Sequence, residues 1–197
     1  MLPSTLINLE KARALIADSN GQAQDILASV LAGFGLRNVV RVNTGREAQD
    51  ELRARPVDLI FTDAQIKDVD GYDLIAWLRR QTNETLRQTP AILVSAHTPM
   101  RDVVRARDCG ASFMVAKPLS PQVLLERILW VARSDRAFIE CDVYVGPDRR
   151  WRNAGPPVEY PDGRRRDDQA AEIGEPSDDN LSQTELDQLV KPQRTAA

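Results

Sequence analysis

The stretch LIFTDAQIKDVDGYDLI (residues 59–75) joins a continuously apolar run to a helical pattern. Its apolar part belongs to VDLIFT (57–62), which is typical of a strand covered on both faces. Asp63 follows this strand directly, and Asp70 is placed to cap a helix predicted over residues 72–81. The stretch therefore predicts one strand–loop–helix unit with carboxylates in its loop.

Similar units repeat on both sides of this stretch. Short apolar or β-branched runs alternate with helical patterns, and a parallel sheet with helices on both faces is the stable arrangement for such a series. We therefore predict an α/β fold, a doubly wound (βα)5 parallel sheet, over residues 10–134. Besides 57–62, the predicted strands cover residues 12–17, 38–42, 91–95 and 112–116.

Capping signals mark the predicted helix ends. Thr44 and Glu47 have the spacing of a capping box, and Gly35 follows the helical pattern of residues 22–34 as a C-terminal cap. Thr98 and Ser120 each precede a proline, which predicts an N-cap residue followed by proline at the first helical position.

Polar residues stand at the carboxyl ends of four predicted strands, where open parallel sheets place their chemistry. The motifs IADSN, LIFTDAQIKDVDGYDLI, AILVSAHT and FMVAKPLS contribute Asp18, Asp63, Ser95 and Lys117 at these ends. In this order they resemble the response-regulator receiver domain, the CheY-like fold.

The resemblance implies a role for each residue. Asp63 matches the phosphoacceptor, and Ser95 and Lys117 match the switch residues that respond to the phosphoryl group. Pro118 matches a proline that is often cis in the family. Asp18, Asp63 and the backbone carbonyl of Gln65 match the ligands of Mg²⁺.

Two positions depart from the family pattern. Ser19 stands where the family usually has a second acidic residue, and a neutral hydroxyl is a weaker Mg²⁺ ligand than a carboxylate. Met114 stands where the family's aromatic switch residue would lie. Phosphorylation of Asp63 therefore stays open, and Asp18 and Asp63 could equally persist in a fold that no longer takes phosphate.

Bulk composition restricts the function classes. The chain has 197 residues, a net charge of −3 and two cysteines, without a run of apolar residues long enough for a membrane span. Its N-terminus lacks the order of a signal peptide, so we expect a cytoplasmic protein. His97, the one histidine, is expected to be an ordinary loop residue.

An arginine-rich segment follows the predicted domain. From Asp148 to Asp168, six arginines face five carboxylates, a net charge of +1, and no lysine occurs. Polyanion binding grows with the number of phosphates neutralised, so this balance disfavours nucleic acid. Arginine instead suits bidentate contacts to the O6 and N7 atoms of guanine, while carboxylates suit its opposite edge. A ligand with two guanines and two phosphates, cyclic di-GMP, would use both groups.

The arrangement YVGPDRRWR, spacer, GRRRDD after a receiver-like domain resembles the Cle family of CheY-like proteins. The resemblance implies a non-enzymatic adaptor that binds cyclic di-GMP and acts at the flagellar motor switch, with recruitment to the flagellar pole. Trp151 would stack on a base. The candidate nucleotide-binding residues are Asp148, Arg149, Arg150, Trp151, Arg152, Arg164, Arg165, Arg166, Asp167 and Asp168.

Three alternatives stay open for the chain. It could be a phosphorylation-controlled single-domain response regulator that receives phosphate from a sensor kinase, a regulator that contacts nucleic acid, or a receiver domain with a solvated tail. We divide the part after the domain into the binding extension (135–168), expected to be largely disordered without ligand, and an acidic tail (169–197). Residues 137–145 could form a strand or an extended arm, and Ser182 and Glu185 predict a short capped helix over 182–190.

Overall fold

The computed structural model of the protein describes residues 9–132, 137–141, 143–148 and 182–190. In chain order the elements are β1 (Arg13–Ala17), α1 (Gly21–Gly33), β2 (Asn38–Val42), α2 (Gly45–Ala54), β3 (Leu59–Asp63), α3 (Gly71–Arg79), α4 (Glu84–Gln88), β4 (Ala91–Ser95), α5 (Met100–Asp108), β5 (Phe113–Ala116), α6 (Pro121–Ala132), β6 (Phe138–Cys141), β7 (Tyr144–Pro147) and α7 (Gln183–Val190). The strands and helices alternate through the receiver-like part, as the apolar pattern predicts, except that a short additional helix, α4, follows α3 before β4.

Strands β1 to β5 form one parallel sheet in the order β2-β1-β3-β4-β5. Helices α1 and α6 pack on one face, where Leu27, Leu31 and Leu124 are buried. Helices α2, α3 and α5 pack on the other face around residues such as Leu52 and Leu74. The predicted doubly wound (βα)5 sheet is therefore confirmed, and β5 is an edge strand.

The helix caps follow the predictions with one exception. Thr44 and Asp70 accept hydrogen bonds from the backbone amides of Glu47 and Asp73, and Gly35 takes a positive φ of 91° after α1. The predicted N-cap at Thr98 is wrong, because α5 begins at Met100. Pro99 is its cap, with an extended ψ of 158° and no side-chain bond to the helix.

The stretch predicted as one strand or extended arm over residues 137–145 contains β6 and the beginning of β7, which continues to Pro147. β6 and β7 pair antiparallel with Phe138 opposite Pro147 and Cys141 opposite Tyr144. The Tyr144 hydroxyl donates a hydrogen bond to the Pro147 carbonyl at 2.6 Å, which links the two ends of β7. We call β6 and β7 the hairpin; it ends directly before Asp148.

Candidate functional site

The carboxyl ends of β1, β3 and β5 bring three of the predicted residues together. The Lys117 ammonium lies 2.9 Å from Asp18 Oδ2 and also contacts Asp63 Oδ2. The Lys117–Pro118 peptide bond is cis, as the family resemblance implied. Asp18, Asp63 and Lys117 form one cluster, which we call the carboxylate–lysine cluster.

Backbone amides fix the two carboxylates on their other side. Asp18 Oδ1 accepts a hydrogen bond from the Asn20 amide at 2.8 Å, and Asp63 Oδ1 accepts one from the Gln65 amide at 2.6 Å. Both side chains are therefore held in place before any ligand binds, because each uses one oxygen for its own loop and one for Lys117.

The cluster favours a charged lysine. Partial burial of Lys117 acts to lower its pKa, but hydrogen bonds from the ammonium to Asp18 and Asp63, together with their charges, outweigh burial and raise the pKa. Two carboxylates that lie this close would repel each other without a cation. Lys117 supplies the neutralising charge in this structure.

Glycine at position 71 lets α3 begin directly against the phosphoacceptor candidate. A Cβ at this position would lie 2.1 Å from the Asp63 carbonyl oxygen, a distance that no side chain tolerates. The Gly71 amide donates a hydrogen bond to the Ala64 carbonyl at 3.1 Å. The loop between β3 and α3 is thereby kept close to Asp63.

Ser19 binds two loops together. Its hydroxyl donates to the Asn43 carbonyl and accepts from the Lys67 amide, each at 3.1 Å. Three groups are thus available to Mg²⁺. They are the Gln65 carbonyl and the carboxylates of Asp18 and Asp63, both of which already contact Lys117. The described residues contain no group of three or more histidine, cysteine, aspartate or glutamate side chains suited to a metal. This donor set fits Mg²⁺ poorly.

Ser95 is turned toward its own loop. Its hydroxyl donates to the His97 carbonyl at 2.6 Å and accepts from the His97 amide at 3.1 Å. Met114 is buried in the core on the α5 side of the sheet. The serine therefore stands at the predicted strand end, but its hydrogen bonds are local.

Sequence reasoning missed Gln24, a buried amide behind the cluster. Its Nε2 donates to the Asp18 carbonyl at 2.6 Å and to the Val42 carbonyl at 2.8 Å, so it joins the ends of β1 and β2. A glutamine on the otherwise apolar face of α1 was the available signal.

A second missed residue, Arg79, organises the opposite end of the sheet. It is 1% exposed and donates to the carbonyls of Gly110 (2.9 Å), Arg87 (2.6 Å) and Thr89 (2.8 Å). Burial lowers its pKa to about 10. These carbonyls lie just before β4 and β5, so Arg79 fixes the strand ends that face away from the cluster.

The hairpin docks at this opposite end. Arg87 donates to Glu140 at 2.6 Å, which lowers the pKa of the Glu140 carboxyl, and the guanidinium of Arg87 lies over the Phe138 ring. Gly110 has a positive φ of 87°, and a Cβ there would lie 2.9 Å from the Val145 carbonyl oxygen. Close backbone contact thus seats the hairpin.

The predicted nucleotide-binding residues are mostly outside the described part of the chain. Asp148 is described, and its amide donates to the Ala137 carbonyl at 2.8 Å. The hairpin shows that the described residues 137–141 and 143–148 of the predicted extension (135–168) are structured. Outside the described residues lie the prediction of disorder for the rest of the extension and the predictions for Arg149, Arg150, Trp151, Arg152, Arg164, Arg165, Arg166, Asp167 and Asp168.

No helix in the described ranges is both long and apolar enough to span a membrane.

Comparisons with known proteins agree on one family. Residues 14–129 match the response regulator receiver domain. The chemotaxis protein CheY of Pseudomonas aeruginosa is 28% identical over 116 residues, which are 59% of this chain and 92% of CheY. The polar-differentiation response regulator DivK of Brucella ovis is 30% identical over 114 residues, 58% of this chain and 90% of DivK.

A solved structure extends the agreement to three dimensions. The receiver domain of a signal transduction histidine kinase from Syntrophus aciditrophicus is 30% identical, with a TM-score of 0.57 over 66% of this chain and 98% of that domain. The family match ends inside α6, so the hairpin, the arginine-rich segment and α7 lie beyond it. Since the match covers more than half of the chain, the protein belongs to the response regulator receiver domain family and is CheY-like.

Proposed function

We propose that this protein is a signalling adaptor that binds cyclic di-GMP through its arginine-rich segment, residues 148–168, without enzymatic activity. Nucleotide binding then directs the receiver domain to a protein partner, for which the family resemblance suggests the flagellar motor switch and recruitment to the flagellar pole. The observation that carries the proposal is the alternation of six arginines with carboxylates in this segment.

The hairpin supports the proposal by its position. It ends directly before Asp148, so the arginine-rich segment leaves the domain from a fixed point. A cleft of about 190 Å³ lies at this point, and Trp130, Phe138 and Pro147 are among its walls. Aromatic walls suit the flat face of a base.

Calorimetric titration with cyclic di-GMP tests the proposal. We expect micromolar or tighter binding by the full chain and its loss in the triple variant R164A/R165A/R166A. The matched control is R37A/R46A/R55A, which removes the same charge from exposed positions in the domain and should bind like the wild type. The proposal would be excluded if R164A/R165A/R166A still binds cyclic di-GMP like the wild type. It would also be excluded if the wild type does not bind cyclic di-GMP at low salt.

Calorimetric titration also tests the alternative that the protein binds nucleic acid. A protein that neutralises several phosphates loses affinity for nucleic acid steeply as the salt concentration rises. Bidentate hydrogen bonds from arginine to guanine instead discriminate between bases. Separate titrations with single-stranded RNA and with cyclic di-AMP therefore distinguish the two. Salt-sensitive binding of RNA without binding of cyclic di-GMP would favour the nucleic-acid regulator.

Phosphorylation of Asp63 by a sensor kinase is a second candidate function, favoured by the position of Lys117. The ammonium already contacts a carboxylate oxygen of Asp63, and its charge would offset the negative charge that a phosphoryl group adds. Incubation with acetyl phosphate and MgCl₂ should label the wild type and leave Asp63→Asn unlabelled. A wild type whose mass does not increase on incubation, or an equal increase in Asp63→Asn, would exclude this function.

A further inference from the structure

A cleft lies where the hairpin meets the receiver domain, at the end of the sheet that faces away from the carboxylate–lysine cluster. Its volume is about 190 Å³, and Phe138 and Pro147 of the hairpin form one wall. The other walls include Trp130 of α6, Gln88 at the end of α4 and Ser112 directly before β5. The receiver domain and the hairpin thus build this space together, and we call it the hairpin cleft.

The size and the rings of the hairpin cleft suit one flat base. Phe138 and Pro147 are directly opposite each other in the β6–β7 register, so their side chains lie on the same face of the hairpin. Trp130 adds a second ring to the cleft. Sites that enclose drug-sized ligands measure about 300–1,000 Å³, so this cleft is too small for a whole dinucleotide. A single base, which stacks on aromatic side chains, is the part of such a ligand that fits.

Two polar side chains in the walls of the cleft have hydrogen-bonding groups to spare. Ser112 is 5% exposed, and its Oγ accepts a hydrogen bond from the Ala91 amide at 3.2 Å. No group in the described part of the chain accepts the proton of this hydroxyl. Gln88 donates from Nε2 to Glu84 at 3.0 Å, which leaves its carbonyl oxygen without a donor among the described residues. A hydroxyl donor and an amide acceptor match guanine, whose O6 and N7 accept and whose N1–H donates.

The charge beside the cleft favours a nucleotide over an uncharged ring. The guanidinium groups of Arg87 and Arg79 lie 5.2 Å and 6.0 Å from the centroid of the Phe138 ring. Glu140 neutralises Arg87, whereas no carboxylate of the described residues forms an ion pair with Arg79. Since Arg79 is 1% exposed, salt screens its charge weakly. A base that carries phosphate groups therefore suits this end of the domain better than a neutral molecule.

We propose that the hairpin cleft binds one guanine base of cyclic di-GMP, with the base stacked on Phe138 and its edge bonded to Ser112 and Gln88. The inference rests on the proposed function, because the arginine-rich segment binds the rest of the ligand. It adds that the receiver domain and the hairpin form part of the binding site, so that the bound nucleotide holds the hairpin against the domain.

Calorimetric titration of the full chain with cyclic di-GMP tests the polar contact. Gln88→Ala removes an exposed amide, and we expect it to raise the Kd about fivefold, the effect of roughly one lost hydrogen bond. The matched control is Gln122→Ala, which should bind like the wild type. Both glutamines are exposed on a helix and donate to a glutamate four positions away, Glu84 and Glu126 respectively, but Gln122 is not part of the cleft.

Phe138→Leu tests the stacking contact in the same titration. Leucine keeps an apolar side chain in the hairpin but lacks a flat ring, so we expect the Kd to rise about tenfold. Its control is Phe34→Leu, which makes the same change at a partly buried position that packs on the α1 side of the core. In the wild-type complex, nuclear Overhauser effects should join guanine H8 to the ring protons of Phe138 and Trp130.

Three results would overturn the inference. If Gln88→Ala and Phe138→Leu bind cyclic di-GMP like the wild type while R164A/R165A/R166A does not, the arginine-rich segment binds the ligand alone and the proposed function stands. If guanine H8 shows no Overhauser effect to either ring, the base does not lie in the cleft. If the wild type does not bind cyclic di-GMP, the inference and the proposed function fail together.

Discussion

Gln183 accepts a hydrogen bond from the amide of Ala116, and the next residue along the chain is Lys117, whose ammonium bridges Asp18 and Asp63. One peptide unit therefore separates the contact that holds α7 from the cation that neutralises the candidate phosphoacceptor. The Lys117 amide also donates to the Ser95 carbonyl at 2.8 Å, which ties both to β4.

Arg79→Leu should lower the free energy of unfolding by about 3 kcal/mol, because a buried charged donor contributes roughly 1.5–3 kcal/mol per hydrogen bond and relief of its desolvation offsets part of the loss. Urea denaturation measures the change. The control is the exposed neighbour Arg80→Leu, for which we expect a change within about 0.5 kcal/mol. Equal stability of the two variants would contradict a structural role for Arg79.

Gly110→Ala should be more destabilising than Gly35→Ala. Both glycines have positive φ, which costs a non-glycine residue about 1 kcal/mol. At position 35 the nearest atom to the new Cβ is 4.0 Å away, whereas at 110 the methyl would lie 2.9 Å from both Arg79 Cγ and the Val145 carbonyl oxygen. The difference between the two thermal unfolding midpoints reports the close packing of Gly110 against Arg79 and the hairpin. Identical midpoints would show that this close packing is absent.

Ser19→Asp should raise the affinity for Mg²⁺, since it adds a carboxylate beside Asp18 where the present hydroxyl is used by Asn43 and Lys67. Calorimetric titration with MgCl₂ compares the variant with the wild type. Ser19→Ala is the control, since it removes the hydroxyl without adding charge, and should not bind Mg²⁺ more tightly. An unchanged affinity in Ser19→Asp would mean that position 19 does not limit metal binding.

Docking of α7 should weaken in acid. Hydrogen bonds from the Ser182 hydroxyl and amide lower the pKa of Glu185 below its ordinary value of 4.5. Because the pKa of Glu185 is lower in the folded state, its charged form stabilises the helix above pH 4.5. This stabilisation is lost as the pH falls through the folded-state pKa. The Ala116 amide shift between pH 7 and pH 3 follows this loss, and Glu185→Gln, which keeps the side-chain length without the charge, should remove it. A wild type and Glu185→Gln with the same pH profile would contradict the capping contribution.

The sequence by itself determined the sheet and the strand ends. Continuous apolar runs specify strands buried on both faces, and a parallel sheet then brings the residues after β1, β3 and β5 to one edge. Asp18, Asp63 and Lys117 could therefore be placed together from their order in the chain. The same local rules specify the caps at Thr44, Asp70 and Gly35.

Tertiary structure alone decided what fills the remaining surfaces. The roles of Arg79, Gln24 and Leu186 depend on partners elsewhere in the chain, such as Asp18 for Gln24, 6 positions away, and Met114 for Leu186, 72 positions away. Periodicity reports the face on which a side chain lies and gives no information about which distant segment will meet it. The hairpin and α7 are short elements that packing stabilises, so their places follow from the folded domain rather than from local sequence.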